Sequence, residues 1–241
     1  MLIGHIKEIV RYPVKSFTGE KVEDTHVLSY GLYGDRSHAY LDKTRPGKYL
    51  TITQAPFMCT YQASFADHTE SLERFPEVNV YTPDGKSVNW DDPWLIQKLE
   101  KRSNRQIQPV KYTPVNVPIG AIEEEHLLMV TDASLSALRE QWGNQLDYRR
   151  FRPNLLLDLI NKVPYIEETW FGKRLYIGEH VEIEMKRPCE RCMIITVDPK
   201  DSERDPSLLK IVAKERNNHF GVYASVIRTG PIHTGDEVIL G

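Results

Sequence analysis

Two of the chain's three cysteines sit in one short stretch, Lys186-Arg187-Pro188-Cys189-Glu190-Arg191-Cys192. An apolar run follows, Met193-Ile194-Ile195-Thr196-Val197, and Asp198-Pro199 closes it. A free thiol with a pKa of about 8.5 is only a few per cent thiolate at neutral pH, and nearby cations raise that share. Arg187 and Arg191 are such cations in sequence. The thiolate binds metals and attacks electrophiles, so the stretch is a candidate metal-ligand or nucleophile site. A Cys-x-x-Cys pair can also be a redox dithiol, half a zinc site, or two inert core thiols. A dithiol normally opens a helix after a strand. Here the β-branched run after the pair reads as a buried strand, which argues against that reading. A structural zinc site needs four ligands. Cys59 is the only further cysteine, and no second Cys-x-x-Cys or His-x-x-x-His exists. The inert-thiol reading stays open on burial habit alone.

Other candidates are cations near predicted strand ends. Lys15 and Ser16 follow Tyr12-Pro13-Val14, and Arg36 follows Gly34-Asp35. Taken singly, each cation reads as solvated surface charge. Arg149, Arg150 and Arg152 precede Pro153-Asn154 and a buried strand, Leu155 to Leu159. Arginine binds phosphate as a rigid fork, so this group is either a solvated face or an anion site.

The elements that must position these residues are mostly strands. Ile3 to Tyr12, Val22 to Leu28, His38 to Leu41, Cys59 to Phe65, and a hairpin around Pro83-Asp84-Gly85-Lys86 read as strands. Asp92-Pro93 starts a helix to about Arg102. Residues 104–120 hold three prolines and no period, which predicts a linker or crossover. A strand His126 to Val130 follows. Thr131 then caps a helix through Trp142, with Gly143 as its stop. Arg174 to Ile177 pairs with Val181 to Met185. A helix over Leu208 to Arg216 precedes two closing strands, Phe220 to Arg228 and Asp236 to Leu240. Many short strands with few interleaved helices predict a mainly β, α+β, barrel-like architecture. No Gly-x-Gly-x-x-Gly or P-loop supports a nucleotide fold.

Bulk properties narrow the function. With 241 residues, 40% hydrophobic, 27% charged and a net charge of -3, the chain reads as an ordinary soluble globular protein. There is no basic excess to favour nucleic acid. Three cysteines without framework spacing suit a reducing cytoplasm. The first residues form neither a signal peptide nor a membrane anchor, so no membrane association is expected.

Five segments in order then resemble one family. They are Tyr12-Pro13-Val14-Lys15-Ser16, Gly34-Asp35-Arg36, Thr131-Asp132-Ala133-Ser134-Leu135, Phe151-Arg152-Pro153-Asn154, and Arg191 through Pro199. The chain resembles proteins with an N-terminal β-barrel segment followed by a MOSC domain, and among them the mitochondrial amidoxime reducing components and their bacterial relatives. The resemblance implies an N-terminal β-barrel-like domain over residues 1–115 packed on a MOSC β-barrel domain over 116–241. It implies a molybdenum cofactor of the molybdopterin type, with Cys192 as the metal's thiolate ligand. Soft sulfur suits a metal already held by sulfur. Lys15, Ser16, Arg36, Thr131, Arg152, Asn154 and Arg191 would hold the pterin and its phosphate, and Asp198 would orient the site or a substrate proton. Cys189 would be a neighbour only, and Cys59 a core residue. Pyridoxal phosphate binding comes with the family as an attribute and rests on no residue here.

The activity implied is reduction of N-hydroxylated or N-oxygenated small molecules. The chain opens at the first strand and stops after the MOSC module, without the ferredoxin-like domain of some relatives. Electrons are therefore expected from a separate donor protein of flavoprotein, ferredoxin or cytochrome type. The alternative is a non-catalytic carrier of the cofactor or of sulfur on Cys192. Where relatives often have Asp-x-Gly after Asp-Pro, this chain has Lys200-Asp201-Ser202.

Overall fold

A computed structural model describes all 241 residues, Met1–Gly241. Its centre is a closed barrel of seven strands. In order around the wall these are Leu155–Leu159, Leu127–Thr131, His219–Arg228, Val181–Glu190, Arg174–Ile177, Glu237–Leu240 and Leu2–Arg11, which returns to Leu155–Leu159. Closure leaves no wall strand with an unpaired edge. Every pairing is antiparallel except Leu127–Thr131 with Leu155–Leu159. A parallel neighbour needs a crossover, and the helix Asp132–Trp142 supplies it. Thr131 Oγ1 accepts the Ser134 N–H at the helix start, and Gly143 ends it at φ 73°. The barrel is filled by branched aliphatics such as Ile6, Ile9, Leu157, Ile183 and Val222. Gly4 lies where Leu2–Arg11 meets Leu155–Leu159, and a Cβ there would sit 2.3 Å from the Asp158 carbonyl oxygen.

The first strand thus belongs to a barrel made otherwise of later segments, and Asp24–Leu28 pairs with Gly230–His233. The rest of the N-terminal half forms two smaller sheets, His38–Asp42 with Ile107–Lys111, and Gln62–Phe65 with Val78–Tyr81 and Ser87–Asn89. They enclose a second core, rich in aromatic residues. No helix is long and apolar enough to cross a membrane.

Four expectations are corrected. Residues 104–120 are not a plain linker, because Ile107–Lys111 is a strand. Pro109 is tolerated there because the strand pairs on one side only. Cys59 to Phe65 is not one strand: Pro56 starts a 3-10 helix through Thr60, and the strand begins at Gln62. Val22 to Leu28 divides into Glu20–Val22 and Asp24–Leu28, which join different sheets. The segment between the closing strands contains another strand, Gly230–His233.

Candidate active site

The cysteine stretch begins as strand. Val181–Glu190 runs through Cys189, and the chain leaves the barrel at Arg191, whose N–H donates to the Asn218 carbonyl (2.8 Å). Met193–Thr196 is a 3-10 helix with Cys192 as its N-cap, not the expected strand. Its branched residues still reach a core, since Ile195 and Val197 are buried. The Arg150 guanidinium also donates to the Ile195 carbonyl (3.3 Å). The pair therefore follows a strand and opens a short helix, so the order of elements no longer argues against a dithiol. Burial separates the two sulfurs instead. Cys189 is buried between Leu128 and Tyr223, whereas Cys192 is exposed.

Cys192 lines a cleft of about 350 Å³ together with Arg36, Arg152, Asn154 and Arg191. The structure brings these five expected site residues together. Their side chains are not equally free. Arg191 turns inward, with Nη1 2.7 Å from Cys189 Sγ and Nη2 donating to the Phe151 carbonyl (2.8 Å). Asn154 is fully engaged, accepting from Leu128 N–H (3.1 Å) and donating to Asp35 (3.0 Å) and Val10. Arg152 has no carboxylate partner, and its Nη2 is buried with no partner at all.

The facing wall comes from turns in the N-terminal half. Ser16 and Arg36 there adopt left-handed backbone, at φ 73° and 50°, as does Arg152 on the barrel side, at 56°. That region is costly for residues other than glycine, and such strain gathers at functional sites. The buried Asp35 carboxylate holds this wall in place. It accepts from Tyr12 N–H (2.8 Å), from Asn154 Nδ2 and from the Arg36 guanidinium. The Tyr12 ring stacks with both guanidinium groups, Arg36 at 4.4 Å and Arg152 at 4.3 Å. Burial pushes the Tyr12 hydroxyl up to about 12 despite those two charges, so it stays protonated. Burial, with repulsion from Arg36, lowers the Arg152 pKa. Burial lowers Arg36 as well, but Asp35, Tyr12 and Glu123 together leave it raised.

Lys15 and Ser16 line an adjoining cleft that shares Arg152, Ile194 and Glu123 with the first. Lys15 Nζ donates to the Ala121 carbonyl (2.8 Å) and to Glu123 (2.9 Å). Burial lowers the Lys15 pKa, with Glu123 opposing. Burial alone would raise Glu123, yet Lys15 and Arg36 hold it below the usual carboxylate range. Glu124, Glu125 and Glu190 complete the mouth of the Cys192 cleft.

Two expected site residues lie outside this set. Thr131 is wholly buried, its hydroxyl committed to Ser134 and Glu167 at the helix start. Asp198 is ion-paired with Arg150 (2.6 Å) and lines neither cleft. Cys59 is buried in the aromatic core, and burial pushes its thiol up to about 11. Sequence reasoning missed Asp35, Tyr12 and Glu123. Asp35 stood beside Arg36 in Gly34-Asp35-Arg36, but nothing local showed that its carboxylate spans three chain segments.

The residues fit an anionic, sulfur-bearing cofactor. A partnerless buried guanidinium nitrogen calls for an acceptor, and three cations answer one phosphate. No group of three or more His, Cys, Asp or Glu side chains is placed to hold a metal. A metal at Cys192 would therefore take its remaining ligands from the cofactor.

Comparison with known proteins finds two family models that together span most of the chain. The model of the MOSC domain matches residues 110–239, and that of the MOSC N-terminal beta barrel domain matches residues 3–103. Mitochondrial amidoxime reducing component 2 of Homo sapiens is 33% identical over 283 residues, covering 98% of this chain and 83% of that protein. Molybdenum cofactor sulfurase of Caenorhabditis elegans is 31% identical over 135 residues, covering 54% of this chain but only 18% of that protein. The crystal structure of the YUAD protein from Bacillus subtilis shares the fold, with a TM-score of 0.54 at 11% identity over 99% of this chain and 96% of that one.

Proposed function

The chain belongs to the MOSC domain family, and from that premise we propose that it is a molybdenum-cofactor-dependent oxidoreductase that reduces N-hydroxylated or N-oxygenated compounds. Electrons come from a separate donor protein. The observation that carries this reading is the exposed Cys192 sulfur in one cleft with Arg36 and the partnerless Arg152. The amidoxime reducing component relative, matched over nearly the whole chain, supports the substrate class.

When bound, the cofactor supplies a redox-active Lewis-acid metal. The chain's own residues do the rest. Cys192 offers a soft sulfur ligand at the cleft surface. Arg152, Arg36 and Lys15 balance the phosphate, which carries about -1.5 to -2 charge. Asp35 and Asn154 act at one remove: Asp35 accepts from the Arg36 guanidinium, and Asn154 holds Asp35 by its own hydrogen bond. Glu123 is held ionised by Lys15 and Arg36, so it serves as a counter-ion and not as the proton source. Asp198, committed to Arg150, anchors the 3-10 helix beside Cys192.

The test is protein produced in a host that makes the cofactor, assayed for molybdenum and pterin and then for reduction of a hydroxylamine-type substrate with a flavoprotein donor. Cys192→Ser should lose bound molybdenum. Equal metal in that variant overturns the ligand assignment, and fully loaded protein without turnover overturns the activity. The sulfurase relative favours one second reading, a carrier of cofactor or sulfur. Persulfide on Cys192, with cofactor transfer and no turnover, would support it.

A further inference from the structure

A further cavity of about 340 Å³ shares Arg152 and Ile194 with the Cys192 cleft. It opens between the two halves of the chain. Lys21, Arg149, Arg150 and Arg152 line it, and no carboxylate does. The Cys192 cleft, by contrast, has four glutamates among its lining residues.

Three of the four cations are braced from behind. Lys21 pairs with Glu8 (2.8 Å), Arg149 with Asp147, and Arg150 with Asp198 (2.6 Å). These carboxylates fix the cations without lining the cavity. Two nitrogens remain buried and partnerless on the lining arginines, Arg150 Nε and Arg152 Nη2. Native proteins rarely leave such donors unused. The Tyr12 and Tyr148 rings add flat apolar wall, and Lys21 lies over the Tyr148 ring at 5.7 Å. Low-dielectric walls bearing one sign of charge concentrate counter-ions.

We propose that this cavity binds a small organic anion, a phosphate monoester or carboxylate on an apolar body. Its charged end meets Lys21, Arg149 and Arg152, and its body lies against Tyr148. Because Arg152 and Ile194 are shared walls, the ligand is one side chain away from the Cys192 cleft. Two sources have this chemistry: a free metabolite, or the phosphate end of the cofactor itself.

The experiment is calorimetric titration of cofactor-free protein with phenyl phosphate, with benzyl alcohol as the neutral counterpart. Phenyl phosphate should bind, more weakly as salt is raised, and benzyl alcohol should not. The double variant Lys21→Gln/Arg149→Gln should bind about tenfold more weakly or worse, the loss expected from removing charge-assisted contacts. Both side chains are partly exposed and neither lines the Lys15 or Cys192 clefts, so other phosphate sites are untouched. Gln62→Glu, at an exposed lining residue, tests the same point by repulsion should the double variant fold poorly. Unchanged affinity in these variants, or equal affinity for benzyl alcohol, overturns the proposal. Cofactor-loaded protein separates the sources: retained binding assigns a free anion, and lost binding assigns the cofactor's phosphate. The readout is binding to cofactor-free protein, so its failure leaves the metal reading standing, and the reverse holds.

Discussion

The barrel core contains 22 buried residues, and Trp170 is its one aromatic. The neighbouring N-terminal core contains 25, nine of them aromatic, including Tyr33, Tyr40, Phe65, Phe75 and Trp90. The barrel wall is closed by continuous strand pairing, so modest aliphatic side chains fill an interior that the backbone already defines. The N-terminal half has only small sheets and long turns. It spans the gaps with large rings and with buried polar groups such as Asp35, Arg36 and His38. Both halves face the same site. The barrel half contributes Cys192, Arg152 and Asn154 from short segments that flank its strands, Arg152 itself from a left-handed turn, whereas the N-terminal half contributes Lys15, Ser16 and Arg36 from left-handed or buried turns. One wall is therefore held by strand pairing and the other by buried charge.

That contrast is broken most severely at Asp35. Asp35→Ala strips Arg36 of its carboxylate partner, leaves Tyr12 N–H without its acceptor and leaves Asn154 Nδ2 with only the long bond to the Val10 carbonyl. Removing one member of a buried ion pair costs about 3–5 kcal/mol. The barrel's comparable pair, Arg174 with Glu182, has a half-exposed arginine, and Glu182→Ala should cost under about 1 kcal/mol. Urea melts of both variants measure the difference. Equal losses would mean that buried charge does not distinguish the two walls.

The next effect is acid sensitivity. His38 packs among Phe65, Phe75 and Trp90, and burial, helped by the Lys111 charge, lowers its pKa from 6.5 to about 3. As pH falls below 6.5 the unfolded chain takes up this proton while the folded one does not. Stability is therefore lost progressively between about pH 6.5 and 3, by an amount on the order of a few kcal/mol. In His38→Gln the difference in stability between pH 7 and pH 4 should shrink. Hydrogen exchange at pH 4 should show the N-terminal sheets opening before the barrel, and uniform exchange would count against the contrast.

Beside the barrel the titration runs the other way. Glu167 is buried under the crossover helix, and burial raises its carboxyl against hydrogen bonds from Ser134 and Thr131. A carboxyl whose folded pKa is raised favours the folded state at low pH and weakens it as pH rises through the unfolded value. Glu167→Gln should therefore gain stability at pH 7 relative to pH 4, read from melts at the two pH values. A parent and variant with parallel pH curves would remove Glu167 from the account.

The same contrast explains what could be read from the chain before folding. Barrel strands were legible because each carries its own pattern: Leu155–Leu159 is an apolar run broken only by Asp158, and Val181–Met185 alternates apolar residues with glutamates. The helix Asp132–Trp142 declared its start at Thr131 and its stop at Gly143. Met193–Val197 was misread because a five-residue branched run is equally at home in a strand or a buried helical turn. What decided it was tertiary: Ile195 and Val197 reach cores from a helical turn, with Arg150 bonded to the turn's carbonyl. At the site, the cations were visible as residues, but only the family resemblance grouped them; their links run through Asp35, Tyr12, Glu123 and a bond from Arg36 to the Arg152 carbonyl, which together join segments far apart in sequence. Thr131 shows the converse. Its capping role was written locally, and its place in a segment that resembles the family said nothing about the cleft.

The smallest expected effect isolates backbone strain in the charged wall. Ser16 holds φ 73°, and its hydroxyl accepts the Ile52 N–H at a long 3.3 Å. A left-handed residue other than glycine costs roughly 1–2 kcal/mol, partly offset in glycine by its greater freedom when unfolded. Ser16→Ala and Ser16→Gly both delete the hydroxyl, so their difference reports the backbone alone. The glycine variant should be the more stable by up to about 1 kcal/mol, while both lose the same hydroxyl contact with any bound anion. An alanine variant at least as stable as the glycine one would mean that the turn carries no strain. The N-terminal wall would then be held as passively as the barrel's.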